Sequence, residues 1–155
     1  MFWTQRLPAP GSIWTARMDG THPVQVLSGL DSPGGIVVDV GSSKVIWADD
    51  TSHRIMSSDF RGNNLKTVIQ ASDGAGTFGI ALHKDRIYYG EFWTKSLQSG
   101  NKLGREMRNM YSGRHKIRHL TMVNVNFPDG RQNHCEGKSC SNICGLTSNS
   151  SRCVA

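Results

Sequence analysis

Between residues 35 and 70 the apolar positions gather into four short runs, 35–39, 45–50, 53–60 and 65–69, separated by Gly, Asn, Asp and Ser. Runs of this length bounded by turn residues read as strands, and four in succession predict one four-stranded antiparallel meander. Residues 36–40 and 45–47 are almost unbroken apolar runs rather than alternations. That is the pattern of strands covered on both faces.

The same pattern recurs along the chain. Val45-Ile46-Trp47-Ala48-Asp49 returns upstream as Met1-Phe2-Trp3-Thr4-Gln5 and downstream as Ile87-Tyr88-Tyr89-Gly90-Glu91, at spacings of 44 and 42 residues. Ile13 and Ile55, and Gly20 and Gly62, are each 42 apart, and Gly35-Ile36 and Gly79-Ile80 are 44 apart. A period of about 40–45 with four strands per unit is the signature of a β-propeller blade. Trp3, Trp47 and Tyr89 are then expected to pack between blades.

On this pattern residues 1–34 form a partial blade with strands at 1–4, 12–18 and 24–27, joined at Asp19-Gly20 by a hairpin turn like that at Arg61-Gly62-Asn63. Residues 35–78 form a complete blade. Residues 79–126 supply another blade, with strands at 78–82, 86–89, 95–100 and 105–111, and a last strand at 117–125 of the kind that closes a propeller ring. The turn-rich segment 127–134 reads as a linker, and 135–155 as a separate cysteine-bearing module.

The chain has 155 residues and 37% apolar residues, which fits a globular β-protein. Propellers close with about four to eight blades, so three units read as a piece of a larger protein that begins inside a blade. No apolar leader follows Met1 and no apolar run is long enough to span a membrane. In a piece, neither absence describes the parent protein. The net charge of +6 is spread over all the units and reads as a solvated basic face rather than a nucleic-acid surface.

All four cysteines, Cys135, Cys140, Cys144 and Cys153, lie beyond the linker. Clustered cysteines in a short Gly/Ser/Asn-rich stretch suggest a disulfide module in an oxidising compartment. The rival is a zinc site, but the two-residue cysteine spacing of zinc ribbons is absent. Asn149-Ser150-Ser151 is an N-glycosylation acceptor pattern.

Together, the aromatic-Trp strands, the Ser32-Pro33-Gly34-Gly35-Ile36-Val37-Val38-Asp39 lead-in, the Asp59-Phe60-Arg61-Gly62 turn and the following cysteines resemble the low-density lipoprotein receptor family. The resemblance covers essentially the whole chain. It implies an all-β fold: about three blades of a six-bladed YWTD-type β-propeller, followed by a truncated EGF-like disulfide module. It also implies disulfides Cys135 with Cys144 and Cys140 with Cys153. Arg131-Gln132-Asn133-His134 stands where a calcium-binding EGF module would be acidic, so no metal or other cofactor is expected. Gln5 and Glu91 replace the motif's Asp, and Tyr89-Gly90 its Trp-Thr, which puts the motif's inter-blade hydrogen bonds in question outside Asp49.

By resemblance the chain is a protein-binding module of a lipoprotein-receptor-related endocytic receptor, with acid-dependent ligand release as an implied extension. It would sit on the extracellular face of the plasma membrane or in endosomes, attached to the membrane only through parts of the parent outside this chain. Protein or lipoprotein ligands and intramolecular cysteine-rich repeats are the implied partners, with no nucleic acid. The alternatives are a nidogen-like matrix protein, a Wnt co-receptor ectodomain, or a metal-dependent propeller hydrolase. No nucleophile or zinc-protease motif is present, and Asp39, Asp49, Asp50 and Asp85 recur as strand-end or turn residues, so no catalytic residue is assigned.

Residues 47–55 align without a gap to a family segment whose His takes part in acid-induced contact with the ligand-binding repeats, which places His53 as a candidate pH-sensing residue. An imidazole gains charge between neutral pH and about pH 5.5. Gly76 stands where a second such His is expected, and Thr51 where a Lys helps hold acidic repeats, so a weakened switch is expected.

Overall fold

A computed structural model describes residues 1–122, together with the backbone of strands at 143–146 and 151–154. The chain divides into two compact units, Met1–Met122 and Val123–Ala155. Among the described residues no helix is long and apolar enough to cross a membrane.

The first unit holds three antiparallel sheets whose strands follow one another in chain order. The first is β1 (Phe2–Gln5), β2 (Gly11–Thr15) and β3 (Val24–Leu30). The second is β4 (Pro33–Asp39), β5 (Lys44–Asp49), β6 (Arg54–Asp59) and β7 (Lys66–Gln70). The third is β8 (Thr77–His83), β9 (Arg86–Glu91), β10 (Ser96–Asn101) and β11 (Arg108–Ser112). These are successive blades of a partial β-propeller.

Even the irregularities repeat. The ladders shift register between Ile13 and Trp14, between Ile55 and Met56, and between Leu97 and Gln98, each 42 residues after the last. A second shift falls between Pro33 and Ile36 and again between Thr77 and Ile80, 44 residues on. A bulge adds local twist to a strand, so each sheet carries the same bend.

The unbroken apolar run of β5 is explained by what lies on each side of it. Val45 and Trp47 point with Ile13 and Leu30 into the core between the first and second sheets. Ile46 and Ala48 point with Ile80, Ile87 and Tyr89 into the core between the second and third. Alternate residues of one strand thus serve two different cores. Trp47 and Tyr89 are inter-blade aromatics as expected, being 0% and 2% exposed. Trp3, at the corresponding place in the first sheet, is half-buried and stacks on Trp14 of its own sheet, ring centroids 6.3 Å apart; the side on which Trp47 and Tyr89 meet the preceding sheet has no earlier sheet in this chain.

The turn after the third strand of a blade is held by an Asx acceptor. Asp59 Oδ1 accepts the N–H groups of Arg61 and Asn63, and Asn101 Oδ1 those of Leu103 and Arg105. Gly62 and Gly104 turn the chain at φ of 84° and 73°, where glycine has no steric cost. In the first sheet Arg17 occupies the acceptor position, and Asp19 receives the Thr21 N–H instead.

The closing strand expected at 117–125 is not seen in its described part. Residues 117–122 make no ladder with a described strand and run as irregular chain, and 123–125 lie outside the described residues. Side-chain contacts hold this stretch instead: Ile117 sits where a Cβ on Gly90 would stand, and the Arg118–His119 backbone lies 3.0 Å from where one on Gly79 would.

In the second unit β12 (Ile143–Leu146) pairs antiparallel with β13 (Ser151–Val154), with Cys144 opposite Cys153 in the register. Cys135, Cys140, Asn149 and the linker 127–134 lie outside the described residues.

Candidate functional site

The equivalent strands β1, β5 and β9 of the three sheets end side by side, and their last residues share one face of the unit. The corner of the second sheet is built on Asp49, which is 4% exposed. Its Oδ2 accepts the N–H of Ser32, in the connection from the first sheet, at 3.1 Å. Its Oδ1 accepts the N–H and hydroxyl of Ser52 at 3.1 and 3.0 Å. At the corresponding place Glu91 is spent within its own sheet, accepting the hydroxyls of Thr94 and Ser96 at 2.7 Å each. Burial and then the Glu91 charge push the neighbouring Tyr89 phenol well above its ordinary pKa, so Tyr89 stays neutral.

Other hydroxyls bridge the sheets. Thr4 donates to the Gly34 carbonyl at 2.7 Å, and Thr77 to the Asp49 carbonyl at 2.9 Å. Ala48 and Gly90 occupy the Thr4 position in the other two copies and have no hydroxyl to give.

Just past these corners the chemistry changes. Arg6 Nη2 lies 3.3 Å from Asp50 Oδ2, and its guanidinium carbon stands 5.4 Å from the Phe78 ring centre. Phe92 is buried against Phe78, and Trp93 meets Phe92 edge-on at 4.7 Å while remaining 60% exposed. Lys116 Nζ sits over both Phe92 and Trp93, at 4.2 and 4.1 Å, and Arg118 over Phe92 at 4.9 Å. Neither cation has a carboxylate within ion-pair distance among the described residues. Beside them opens a cleft of about 390 Å³ lined by Thr4, Gly34, Phe78, Phe92, Arg118 and His119.

His53 joins this face. It occupies the β5–β6 turn at φ 52° and is half-buried. Its Nδ1 accepts the Gly76 N–H at 3.4 Å, and its carbonyl accepts from Ala71 and Gln70. An acceptor Nδ1 must be unprotonated, so a proton arriving there removes the bond. Gly76 has φ 64°, and a Cβ on it would stand 2.8 Å from Trp93 Cδ1 and 3.2 Å from Asp50 Oδ1. A side chain at this position would press on Trp93 and take a left-handed backbone, so the glycine leaves room for the Trp93 indole where a second imidazole is expected. Thr51 is exposed on the same turn.

The four carboxylates considered for hydrolase chemistry do not converge. Asp49 and Asp50 are engaged as described, Asp39 pairs with Lys102 at the other end of the sheet, and Asp85 lies in the β8–β9 turn. Among the described residues no group of three or more His, Cys, Asp or Glu could hold a metal ion.

No family model matches the chain. It is 27% identical over 152 residues to the vitellogenin receptor Yl of Drosophila melanogaster, covering 94% of this chain and 7% of the receptor. This match carries the resemblance to a named receptor along nearly the whole sequence. It supports the resemblance to the low-density lipoprotein receptor family. Protein cueball of Drosophila willistoni is 27% identical over 103 residues, 64% of this chain and 16% of that protein. The chain therefore spans a small part of these relatives' length.

Among solved structures the YWTD-type blades match a chain of a nidogen/laminin complex with a TM-score of 0.60 and 20% identity, over 66% of this chain and 40% of that one. The calcium-binding protein regucalcin from Agrobacterium tumefaciens matches with a TM-score of 0.58 and 14% identity, over 70% and 39%. Both show the propeller fold alone.

The aromatic and cationic face was not found in the sequence, where only His53 stood out. The available signal was Phe92-Trp93, an apolar pair at the point where the other two copies continue with Arg6-Leu7 and Asp50-Thr51.

Proposed function

We propose that this chain is a ligand-binding propeller segment of an extracellular receptor, and that it grips acidic segments of protein partners on the face that carries Trp93. The observation that carries this reading is an indole 60% exposed beside two cations that have no carboxylate within ion-pair distance among the described residues. Exposed aromatics next to Arg or Lys dominate binding energy where they become desolvated. A partner's carboxylates would answer Lys116 and Arg118, while its apolar groups cover Trp93.

His53 makes the same face acid-responsive. Protonation removes the acceptor that Gly76 uses and adds positive charge beside Asp50 and Trp93. One partly exposed charge contributes only about 0.2–1 kcal/mol, a few-fold in affinity, so the switch is shallow. The endocytic role, the membrane attachment through the parent chain, and the disulfides Cys135–Cys144 and Cys140–Cys153 belong to the same reading.

The test is binding of an acidic cysteine-rich repeat at neutral pH and near pH 5.5. Trp93→Ala is expected to weaken binding by about 2 kcal/mol, roughly thirty-fold, at both pH values. His53→Ala should leave neutral binding intact and remove most of the few-fold acid response. Unchanged binding by Trp93→Ala would reject the face, and full pH dependence in His53→Ala would reject the sensor.

A further inference from the structure

A second cleft, of about 260 Å³, opens at the other end of β5, where Lys44 begins the strand. It lies between the second sheet and the β10–β11 turn of the third, and its polar lining is Asp39, Ser42, Ser57, Lys44, Lys66 and Lys102. Lys102 Nζ is 2.6 Å from Asp39 Oδ2, so one of the three ammonium groups is neutralised and fixed in place. Burial pushes the Asp39 carboxyl upward, but hydrogen bonds from Lys102 and Ser42 and the Lys102 charge outweigh it and hold the group ionised. Lys44 and Lys66 have no carboxylate within ion-pair distance among the described residues. Three lysines less one aspartate leave the lining at a net charge of +2.

The floor of the cleft carries an unmade bond. Ser57 is 1% exposed, and its hydroxyl has no hydrogen-bond partner among the described residues. A buried hydroxyl without a partner destabilises the fold, so its retention in a lysine-lined cleft points to an acceptor supplied from outside the chain.

We propose that this cleft binds one tetrahedral dianionic oxyanion group, a phosphate monoester. Two free ammonium groups balance a dianion, and Ser57 and Lys102 offer further donors from the floor and the third sheet. A planar carboxylate would leave one of the two free charges unanswered. The site is distinct from the Trp93 face, since it sits at the opposite end of the same strand.

The test titrates inorganic sulfate and inorganic phosphate into the 155-residue chain at constant ionic strength, with chloride as the reference. Backbone amide NMR shifts and melting temperature are the readouts. Saturable shifts centred on Lys44, Ser57, Lys66 and Lys102 are expected, with a rise in melting temperature that chloride does not produce. The double variant Lys44→Gln/Lys66→Gln should weaken binding at least tenfold while melting normally in chloride. Ser57→Ala should weaken it several-fold while melting at or above the parent temperature in chloride, because it deletes a hydroxyl that is unsatisfied without the anion. Shifts that never saturate, an equal response to chloride, or undiminished binding by the double variant would each overturn the proposal. In the same assay phosphoserine, with its doubly charged phosphate ester, should bind more tightly than glucosamine 6-sulfate, whose sulfate ester carries one charge, and the reverse order would overturn the proposal.

Discussion

Gly20 and Gly104 occupy the same position of the same turn in two different sheets, with φ of 82° and 73°. Nothing lies within 4 Å of where a Cβ on Gly20 would stand, whereas one on Gly104 would overlap the Val68 carbonyl, and one on Gly62 the Val26 carbonyl. Gly20 lies in the first sheet of this chain, where no earlier sheet stands beside the turn. Gly62 and Gly104 also let the turn press against the outer strand of the sheet before, β3 and β7 in these two cases. Within this chain the same residue therefore meets a local demand alone where no earlier sheet is present, and a local plus an inter-sheet demand where one is.

That difference can be measured by substitution. Gly104→Ala and Gly62→Ala combine left-handed strain of about 1–2 kcal/mol with overpacking of about 1–3 kcal/mol, so each should lose about 2–5 kcal/mol in urea unfolding. A loss under about 1 kcal/mol would mean that the turn does not bear on the neighbouring strand. Asp49→Ala strips buried N–H groups of Ser32 and Ser52 of their acceptor and should cost about 2–3 kcal/mol. Glu91→Ala, whose bonds stay inside one sheet, should cost about 1 kcal/mol, because freed hydroxyls can turn to other acceptors. Gly20→Ala should show the backbone strain alone, about 1–2 kcal/mol.

The smallest effect is electrostatic and appears only in acid. Slight desolvation raises the Asp59 carboxyl, but the N–H groups of Asn63 and Arg61 and the side chain of Asn64 lower it further, leaving it below its ordinary value of 3.8. A depressed carboxyl contributes stability above that ordinary value and loses it as pH falls through the folded one. Asn101 holds the matching turn without a charge. Asp59→Asn should therefore flatten the fall in melting temperature between about pH 4 and pH 2 while changing little at neutral pH. An unchanged acid slope would show that the turn already opens before Asp59 is protonated.

The parts of the fold set by the repeat were legible in the residues. Val45 to Ala48 could be read as doubly covered because an amphipathic strand would have alternated, and Trp47 and Tyr89 were found by their spacing. Where a partner lies outside the repeat, the pattern fails. Residues 117–122 have strand-like composition but are fixed by Ile117 on Gly90 and Arg118 on Phe92, contacts that no period announces. The same is true of Lys116 over Trp93. His53 could be proposed from its segment, but its bond to Gly76 spans 23 residues and a glycine gives no sign of it.

The two faces of the molecule also differ in their optics. Trp47 is sealed at 0% exposure with its indole N–H unpaired, while Trp93 stands 60% exposed under Lys116. An indole in a dry apolar core emits to the blue and resists collisional quenchers, and one in water emits to the red and yields to them. Iodide, drawn to the cations around Trp93, should quench the red component first and leave the Trp47 signal until the sheets separate. Of the four tryptophans, Trp93 thus reports occupancy of the cationic face and Trp47 the integrity of the seam between the first two blades, with the half-buried Trp3 and Trp14 emitting between these extremes.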